Sequence, residues 1–231
     1  MGAIKDIKVI GFDADDTLWV NEPYYREAEK DFTGLLEEYG VDSGVTEELY
    51  RIEIANLELY GYGIKAFVLS LVECAISLTG GSVTSETIRR LIGIGKEMLN
   101  HPIELLEDVK EVLGMLVPHY KLIVATKGDL LDQERKMKKS SISSYFHHIE
   151  VMSDKKEQHY IQLLEHLDIR PCQFLMIGNS MKSDIIPPLN IGAWAIHVPF
   201  HTTWAHEEVK EDPGSQQFYR CLSLREVPDL L

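Results

Sequence analysis

The sequence predicts an α/β protein in which a doubly wound parallel sheet carries an inserted helical subdomain. Between residues 105 and 198, short apolar segments alternate with helix-like segments, and this alternation is typical of parallel strands joined by helices. A similar apolar segment, Val9–Phe12, lies near the N-terminus, and only helical periodicity separates it from the later strands. We therefore expect the first strand to join the same sheet as strands much later in the chain.

The predicted strands are short apolar runs, as expected of buried strands. They cover residues 5–13, 121–125, 149–152, 174–177 and 193–198. Segments with helical character cover 22–39, 47–60, 63–79, 85–100, 105–117, 130–139 and 157–167. Asn21, Thr46 and Thr84 directly precede three of these helices, and their side chains are predicted to cap them.

The long helical region defines the expected domain organisation. A crossover between parallel strands needs only about 10–12 residues, whereas the region between the first two strands spans residues 20–100. We therefore expect a catalytic core made of residues 1–19 and 101–231, with a helical subdomain of residues 20–100 inserted after the first strand.

The composition limits the classes of partner. The formal net charge of −14 argues against nucleic acid, whose binding depends on Lys and Arg contacts to phosphates. A small phosphorylated substrate remains compatible, since a metal ion and one lysine can reverse the local field. Three widely spaced cysteines indicate neither a disulfide framework nor a zinc site. No signal peptide or membrane span is evident in the sequence, so a cytoplasmic location is expected.

Three carboxylates and a hydroxyl directly follow the first strand, on Asp13, Asp15, Asp16 and Thr17. Burying an unpaired carboxylate is costly, and oxygen ligands of this kind suit Mg²⁺. The stretch therefore indicates a divalent-cation site. The alternative at this point is an acidic turn in which Asp16 or Thr17 caps a helix.

Polar residues also follow the next three strands along the chain. They are Thr126 and Lys127, Lys155 and Lys156, and Asn179 and Asp184. Ligands of open α/β sheets bind outside the carboxyl ends of the strands. We therefore expect these groups to meet the first-strand carboxylates at one edge of the sheet.

This combination of groups permits phosphoryl transfer through a covalent aspartyl intermediate. Asp13 is the expected nucleophile. Asp15 points to the same side of an extended segment, and is expected to protonate the leaving oxygen and then to deprotonate the hydrolytic water. Thr126, Lys127 and a lysine near residue 155 are expected to bind the phosphoryl group, while Asp184 is expected to help hold Mg²⁺.

The four strand ends resemble the four motifs of the haloacid dehalogenase superfamily of hydrolases. The first motif is matched by Asp13-Ala14-Asp15, the second by Thr126, the third by Lys155 or Lys156, and the fourth by Gly178-Asn179-x4-Asp184. The resemblance covers the whole chain, because the helical insert lies where type-1 members carry a helical cap. It implies a Rossmann-like core, and Mg²⁺ bound by the Asp13 carboxylate, the Asp15 main-chain carbonyl and Asp184.

One position departs from this superfamily pattern, and another matches it in two ways. The fourth motif usually opens with Gly-Asp, whereas this chain has Gly178-Asn179. Asn179 keeps an oxygen but lacks the charge, and it is expected to ligate the metal or to bind a metal-bound water. An aromatic residue lies five positions after the third-motif lysine in related members, so Tyr160 favours Lys155 over Lys156.

The expected function is that of a Mg²⁺-dependent phosphatase acting on a small phosphorylated molecule. In the resemblance, Asp15 favours phosphatase or phosphomutase chemistry over dehalogenation. The alternatives are a phosphomutase, a phosphorylatable signalling receiver domain, and a catalytically silent binding protein suggested by Asn179. The sequence indicates neither the substrate nor the oligomeric state.

Two further clusters of polar residues lie outside these motifs. His197, His201 and His206 are interpreted as incidental histidines of a loop, with a zinc site as the alternative. A basic run on the helix at 130–139, from Arg135 to Lys139, is predicted to be a solvated face.

Overall fold

A computed structural model describes residues 4–207, 209 and 213–231. The remaining residues of the predicted core, 1–3, 208 and 210–212, lie outside the described part. The chain divides into two compact units. The first contains Met1–Glu22, Ile103–Lys127 and Gln133–Leu231, and the second contains Pro23–Pro102 and Gly128–Asp132.

The first unit is built on a six-stranded parallel sheet with the strand order β3-β2-β1-β4-β5-β6. Its strands are β1 (Val9–Phe12), β2 (Lys121–Lys127), β3 (Ile149–Met152), β4 (Phe174–Gly178), β5 (Trp194–His197) and β6 (Phe218–Arg220). The predicted α/β class is thereby confirmed. The sequence did not predict β6, because a three-residue, partly exposed edge strand shows neither a buried apolar run nor a measurable alternation.

The helices of both units follow in chain order. They are α1 (Glu22–Glu37), α2 (Val45–Tyr60), α3 (Ile64–Leu78), α4 (Ser85–Asn100), α5 (Val109–Leu116), α6 (Leu130–Ser140), α7 (Glu157–His166) and α8 (Ile186–Asn190).

Both faces of the sheet are buried under helices. Ile10 and Phe12 of β1 pack in a cluster with Leu113 of α5, whereas Val9 packs in another with Tyr160 of α7. This separation arises because successive side chains of a strand point to opposite faces. Helices on both faces of a parallel sheet are the doubly wound arrangement that the sequence predicts.

β1 lies at the centre of the sheet and pairs with β2 on one side and β4 on the other. The strand order reverses at this position, and ligands of doubly wound sheets bind at such a switch point. Gly11 allows the close packing here, because a Cβ at this position would lie 2.6 Å from the ring of Phe174. The residues that follow β1 therefore emerge at the place where a ligand is expected.

The predicted helix at 105–117 begins later, at Val109. The preceding residues instead pair with the chain that follows β1. The Val20 N–H donates to the Glu104 carbonyl at 2.9 Å, and the Leu106 N–H donates to the Leu18 carbonyl at 3.0 Å. Because those backbone groups are committed to this pairing, the first turn of the predicted helix does not form.

The second unit consists mainly of helices packed around an apolar core. Its buried side chains include Phe32, Leu49, Phe67, Leu71 and Leu91, which lie at helical spacings on α1 to α4. Among the described residues, no helix is both long enough and apolar enough to cross a bilayer.

The cap predictions for these helices have mixed outcomes. The Thr84 hydroxyl accepts a hydrogen bond from the Thr87 N–H at 3.2 Å, which confirms Thr84 as the cap of α4. Thr46 is wrong, since it lies inside α2, which follows Gly44 in a left-handed conformation. Gly tolerates that conformation at little steric cost, so it begins the helix without a side-chain cap.

Gly128–Asp132, which directly follow β2, cluster with the second unit. The Lys65 ammonium lies 2.7 Å from the Asp129 carboxylate. Gly63 has φ 111°, and a Cβ there would come within 3.1 Å of the Asp129 backbone nitrogen. The close approach of these two backbones therefore favours glycine at position 63.

Candidate active site

The turn that follows β1 is fixed by main-chain and side-chain hydrogen bonds. The Asp13 N–H donates to the Ile177 carbonyl at 2.8 Å, and the Leu18 N–H donates to the Ala14 carbonyl at 2.8 Å. The Asp16 carboxylate accepts hydrogen bonds from the N–H groups of Asn21 and Glu22, at 2.8 and 3.0 Å. The Asp16 carboxylate therefore binds the backbone N–H groups at the start of α1. The role of Asn21 as a cap stays a prediction, and its side-chain oxygen accepts a hydrogen bond from Lys136 Nζ.

Lys155 joins Asp13 to Asp184 in a buried cluster, which we call the inner charge group. The Lys155 Nζ lies 2.5 Å from Asp13 Oδ1 and 2.6 Å from Asp184 Oδ1. The Lys155 side chain is 1% exposed, whereas that of Lys156 is 69% exposed and pairs with Asp154. Of the two candidate lysines, the structure brings Lys155 to the carboxylates.

The inner charge group contains two carboxylates and one ammonium. Burial raises the pKa of Asp13, repulsion from Asp184 raises it further, and attraction to Lys155 opposes both, so that the pKa reaches about 7. Burial disfavours the charged form of Lys155, but the two carboxylates outweigh burial and raise its pKa. Since two carboxylates contact one ammonium, the group carries more negative than positive groups.

Asp184 is held by the loop that follows β4. Its Oδ2 accepts a hydrogen bond from the Ser180 N–H at 3.0 Å. Gly178 makes this close approach possible, because a Cβ there would lie 2.6 Å from the Asp184 Cβ. The Met181–Ile185 segment forms a π-helical turn, an irregularity that is frequent at functional sites.

The oxygen atoms around the inner charge group fit a hard divalent cation. The Thr17 hydroxyl lies 3.4 Å from Asp13 Oδ2 and 3.2 Å from Asn179 Oδ1, so one hydroxyl contacts both the Asp13 carboxylate and the Asn179 amide oxygen. Oxygen donors with surplus negative charge are the ligands that Mg²⁺ prefers. The resemblance names the Asp15 main-chain carbonyl as a further ligand.

Within residues 4–207, 209 and 213–231, no three or more His, Cys, Asp or Glu side chains are grouped so as to hold a metal ion. The predicted Mg²⁺ ligands include only two acidic side chains, on Asp13 and Asp184, with oxygens of an amide and a main-chain carbonyl.

His197 lies in β5 rather than in a loop, and its Nε2 is 2.9 Å from the Asn179 carbonyl. Its position therefore corrects the interpretation of His197 as a loop residue.

Thr126 and Lys127 end β2, which neighbours β1 in the sheet. Thr126 is buried and its hydroxyl donates to the Lys127 carbonyl at 3.1 Å. The Lys127 Nζ lies 2.6 Å from a Glu207 carboxylate oxygen and 2.9 Å from the Ser183 hydroxyl. Lys127, which the sequence predicts to bind substrate, is thus engaged in an ion pair.

Asp15 belongs to a second cluster, the outer charge group, with Gln133 and Lys136 of α6. Its carboxylate accepts hydrogen bonds from Gln133 Nε2 and Lys136 Nζ, both at 2.8 Å, and from Trp19 Nε1 at 2.7 Å. Lys136 also donates to the Asn21 side chain at 2.8 Å. The prediction of a solvated basic face is therefore wrong at Lys136.

Comparison with known protein families agrees with this geometry. A family model described as haloacid dehalogenase-like hydrolase matches residues 7–192. The chain belongs to this family. The sequence-based identification and the predicted hydrolase class are thereby confirmed.

Individual relatives of this haloacid dehalogenase-like hydrolase cover nearly its full length. A haloacid dehalogenase-like family hydrolase from Xanthomonas campestris is 35% identical, with TM-score 0.86, over 97% of this chain and 96% of that one. The N-acylneuraminate-9-phosphatase of Rattus norvegicus is 25% identical over 99% of this chain and 95% of its own. A 2-haloacid dehalogenase from Pseudomonas syringae shares the fold, with TM-score 0.66 and 19% identity over 97% of each chain.

Three polar residues around the site of this hydrolase escaped the sequence analysis, namely Gln133, Lys136 and Glu207. Gln133 and Lys136 are three residues apart on α6 and so lie on one helix face. This spacing, on the helix that follows β2, was a sequence pattern that could have identified both residues. Glu207 lies ten residues after β5 ends, and no local pattern marks it.

Proposed function

We propose that this hydrolase is a Mg²⁺-dependent phosphatase that cleaves a small phosphomonoester through an aspartyl-phosphate intermediate on Asp13. The observation that carries the proposal is the contact of Asp13 with Lys155 at the switch point of the sheet. Buried carboxylates with a single lysine suit a site that must receive both a cation and a phosphoryl group. The whole-length similarity to a phosphatase supports the same chemistry.

In the first step, a carboxylate oxygen of Asp13 attacks phosphorus and displaces the alcohol. Lys155, in contact with Asp13, attracts the phosphoryl oxygens as negative charge develops on them. Thr126 and the backbone amides after it supply further hydrogen-bond donors. Such a reaction depends mainly on positioning and on stabilising charge.

Asp15 acts as the general acid and then as the general base. It donates a proton to the leaving oxygen, and then removes one from the water that hydrolyses the aspartyl-phosphate. Gln133, Lys136 and Trp19 contact its carboxylate. These three donors fix the orientation of Asp15 in the conformation that the structure describes.

Asp13, Asp184, Asn179 and the Asp15 main-chain carbonyl are the residues that would hold Mg²⁺. When bound, the ion would offset the negative charge of the two carboxylates and of the phosphoryl group. The contact of both carboxylates with a single ammonium supports a need for such a charge.

The test is phosphate release from p-nitrophenyl phosphate, with Mg²⁺ and with EDTA. We expect release with Mg²⁺, loss with EDTA, and loss in Asp13→Asn, whose amide cannot act as the nucleophile. Full activity of Asp13→Asn would by itself refute the mechanism. A silent binding protein would release nothing from any ester.

A panel of esters would then define the substrate. N-acylneuraminate 9-phosphate comes first, because the Rattus norvegicus relative carries that activity in its name. Sugar phosphates, phosphoglycolate and nucleotides follow, each scored by kcat/KM. A phosphomutase would convert a sugar phosphate to its isomer in preference to releasing phosphate.

A further inference from the structure

A buried glutamate reaches the active-site loops from a part of the chain that carries no recognised motif. Glu207 ends a short 3₁₀ turn, Ala205–Glu207, that lies beyond β5. One carboxylate oxygen lies 2.6 Å from Lys127 Nζ. The other accepts hydrogen bonds from the hydroxyls of Ser180 and Ser183, the latter at 2.5 Å. The Glu207 carboxylate, from beyond β5, thus contacts both the end of β2 and the turn that follows β4.

Glu207 forms a largely buried ion pair and not a surface ion pair. The side chains of Lys127 and Glu207 are 13% and 12% exposed. Burial alone would raise the pKa of Glu207, but Lys127 and the two serine hydroxyls outweigh it and lower the pKa to about 2. Such a pair is expensive to desolvate, so it is unlike the exposed pairs that contribute little.

The contacts continue from Glu207 to the inner charge group. The Ser180 hydroxyl accepts from the Ser183 N–H at 3.0 Å, and the Ser180 N–H donates to Asp184 Oδ2 at 3.0 Å. Asp184 in turn accepts from Lys155. Ser180 therefore connects Glu207 to Asp184, the carboxylate that Lys155 binds. Glu207 also contacts Ser183 of the same turn.

We propose that Glu207 is a positioning residue of this active site. Through Ser180 and Ser183 it fixes the turn that presents Asp184, and through Lys127 it fixes the loop that follows Thr126. Its carboxylate also balances the Lys127 charge, so that Lys155 is the ammonium that faces the phosphoryl group. This inference rests on the proposed phosphatase function and extends it to a residue outside the four motifs.

The test compares Glu207→Gln, Glu207→Asp, Lys127→Met and the double variant Lys127→Met/Glu207→Gln. Glu226→Gln is the control, because its carboxylate also accepts a hydrogen bond, from the Leu222 N–H, but lies on the C-terminal segment. We expect Glu207→Gln to lower kcat by about 10–100-fold with little change in KM, as outer residues that orient an active site do. Glu207→Asp, which keeps the charge, should recover part of this loss.

Non-additivity is the second expected result. Lys127→Met leaves Glu207 buried without its ammonium, whereas the double variant removes both charges. The combined loss should therefore be smaller than the product of the two single losses. Independent, multiplying losses would overturn the proposal, as would a Glu207→Gln variant with wild-type kcat and only a lower melting temperature.

A readout that needs no substrate separates this inference from the proposed function. Amide hydrogen exchange over residues 178–186 should accelerate in Glu207→Gln and stay unchanged in Glu226→Gln. If the wild type hydrolyses no phosphate ester, the proposed function fails, and the exchange rates still decide the role of Glu207. Unchanged exchange over this turn would refute the positioning role, whatever the activity.

Discussion

The inner and outer charge groups place two aspartates of the same loop in opposite electrostatic environments. In the inner group, Asp13 and Asp184 share the ammonium of Lys155, and all three side chains are buried. In the outer group, Asp15 has its own ammonium, on Lys136, and its side chain is 24% exposed. The first cluster is short of positive charge, whereas the second is balanced.

Under the proposed function, this difference allows one loop to support two chemical roles. A buried cluster with excess negative charge favours a ligand that brings positive charge, and its low dielectric strengthens every interaction within it. The carboxylate of Asp15 lies nearer to solvent and contacts three hydrogen-bond donors. In the proposed mechanism, the inner group carries covalent chemistry and metal binding, and Asp15 of the outer group carries proton transfer.

The largest effect is expected from Lys155→Met. This change leaves two carboxylates buried without their ammonium, and breaking a buried pair in this way costs about 3–5 kcal/mol. Phosphatase activity should fall to the background. Urea unfolding and phosphate release measure the two effects.

Lys156→Met is the control for Lys155→Met, because Lys156 is its neighbour but is mostly exposed. We expect its stability to stay within about 0.5 kcal/mol of the wild type. A larger loss of activity in Lys156→Met than in Lys155→Met would transfer the assigned role to Lys156.

Asp15→Asn should show a large effect that depends on the leaving group. Loss of a general acid lowers the rate by about 10²–10⁴-fold, and an alkyl phosphate needs that proton more than p-nitrophenyl phosphate does. We therefore expect kcat to fall further for the alkyl ester. Equal losses for both esters would contradict the assignment of Asp15 as the acid.

Lys136→Met and Gln133→Leu should have smaller effects, because these residues act through Asp15. Removing a side chain that orients a catalytic group typically costs about 10–100-fold. Lys138→Met is the matched control, since Lys138 lies on the same helix and is exposed. If Lys138→Met lowered kcat as much as Lys136→Met, the outer charge group would have no specific role.

The inner group was the more predictable of the two from sequence. Asp13, Lys155 and Asp184 each follow a strand of the sheet, and the parallel arrangement brings strand ends to one edge of the sheet. A strand and the residues that directly follow it are local features of the sequence, so the strand pattern was sufficient to name Asp13 and Asp184 and to narrow the lysine to two candidates. Choosing Lys155 over Lys156 required an aromatic residue in the following helix, Tyr160, which the structure places under the sheet.

The contacts of Asp15, and of Lys127 with Glu207, depend on tertiary structure. A basic run on a helix is more often solvated than paired, so composition favoured the wrong interpretation for Lys136. Glu207 is separated from Lys127 by 80 positions, and its contact depends on the path of the chain after β5. Periodicity and strand ends carry no information about that path.

The smallest effect is expected from Asn179→Asp, which adds a third carboxylate beside the inner charge group. The new carboxylate can still accept the hydrogen bond of Thr17, so the geometry is preserved. Without Mg²⁺ the added charge should lower the melting temperature, because Asp13 and Asp184 already share one ammonium. With Mg²⁺ the half-saturating concentration should fall several-fold, and each factor of ten corresponds to about 1.4 kcal/mol of binding. Melting curves and phosphate release over a Mg²⁺ titration would measure both changes. Weaker Mg²⁺ binding in Asn179→Asp would mean that Asn179 lies outside the metal site, and that the negative charge of the inner group has a different purpose.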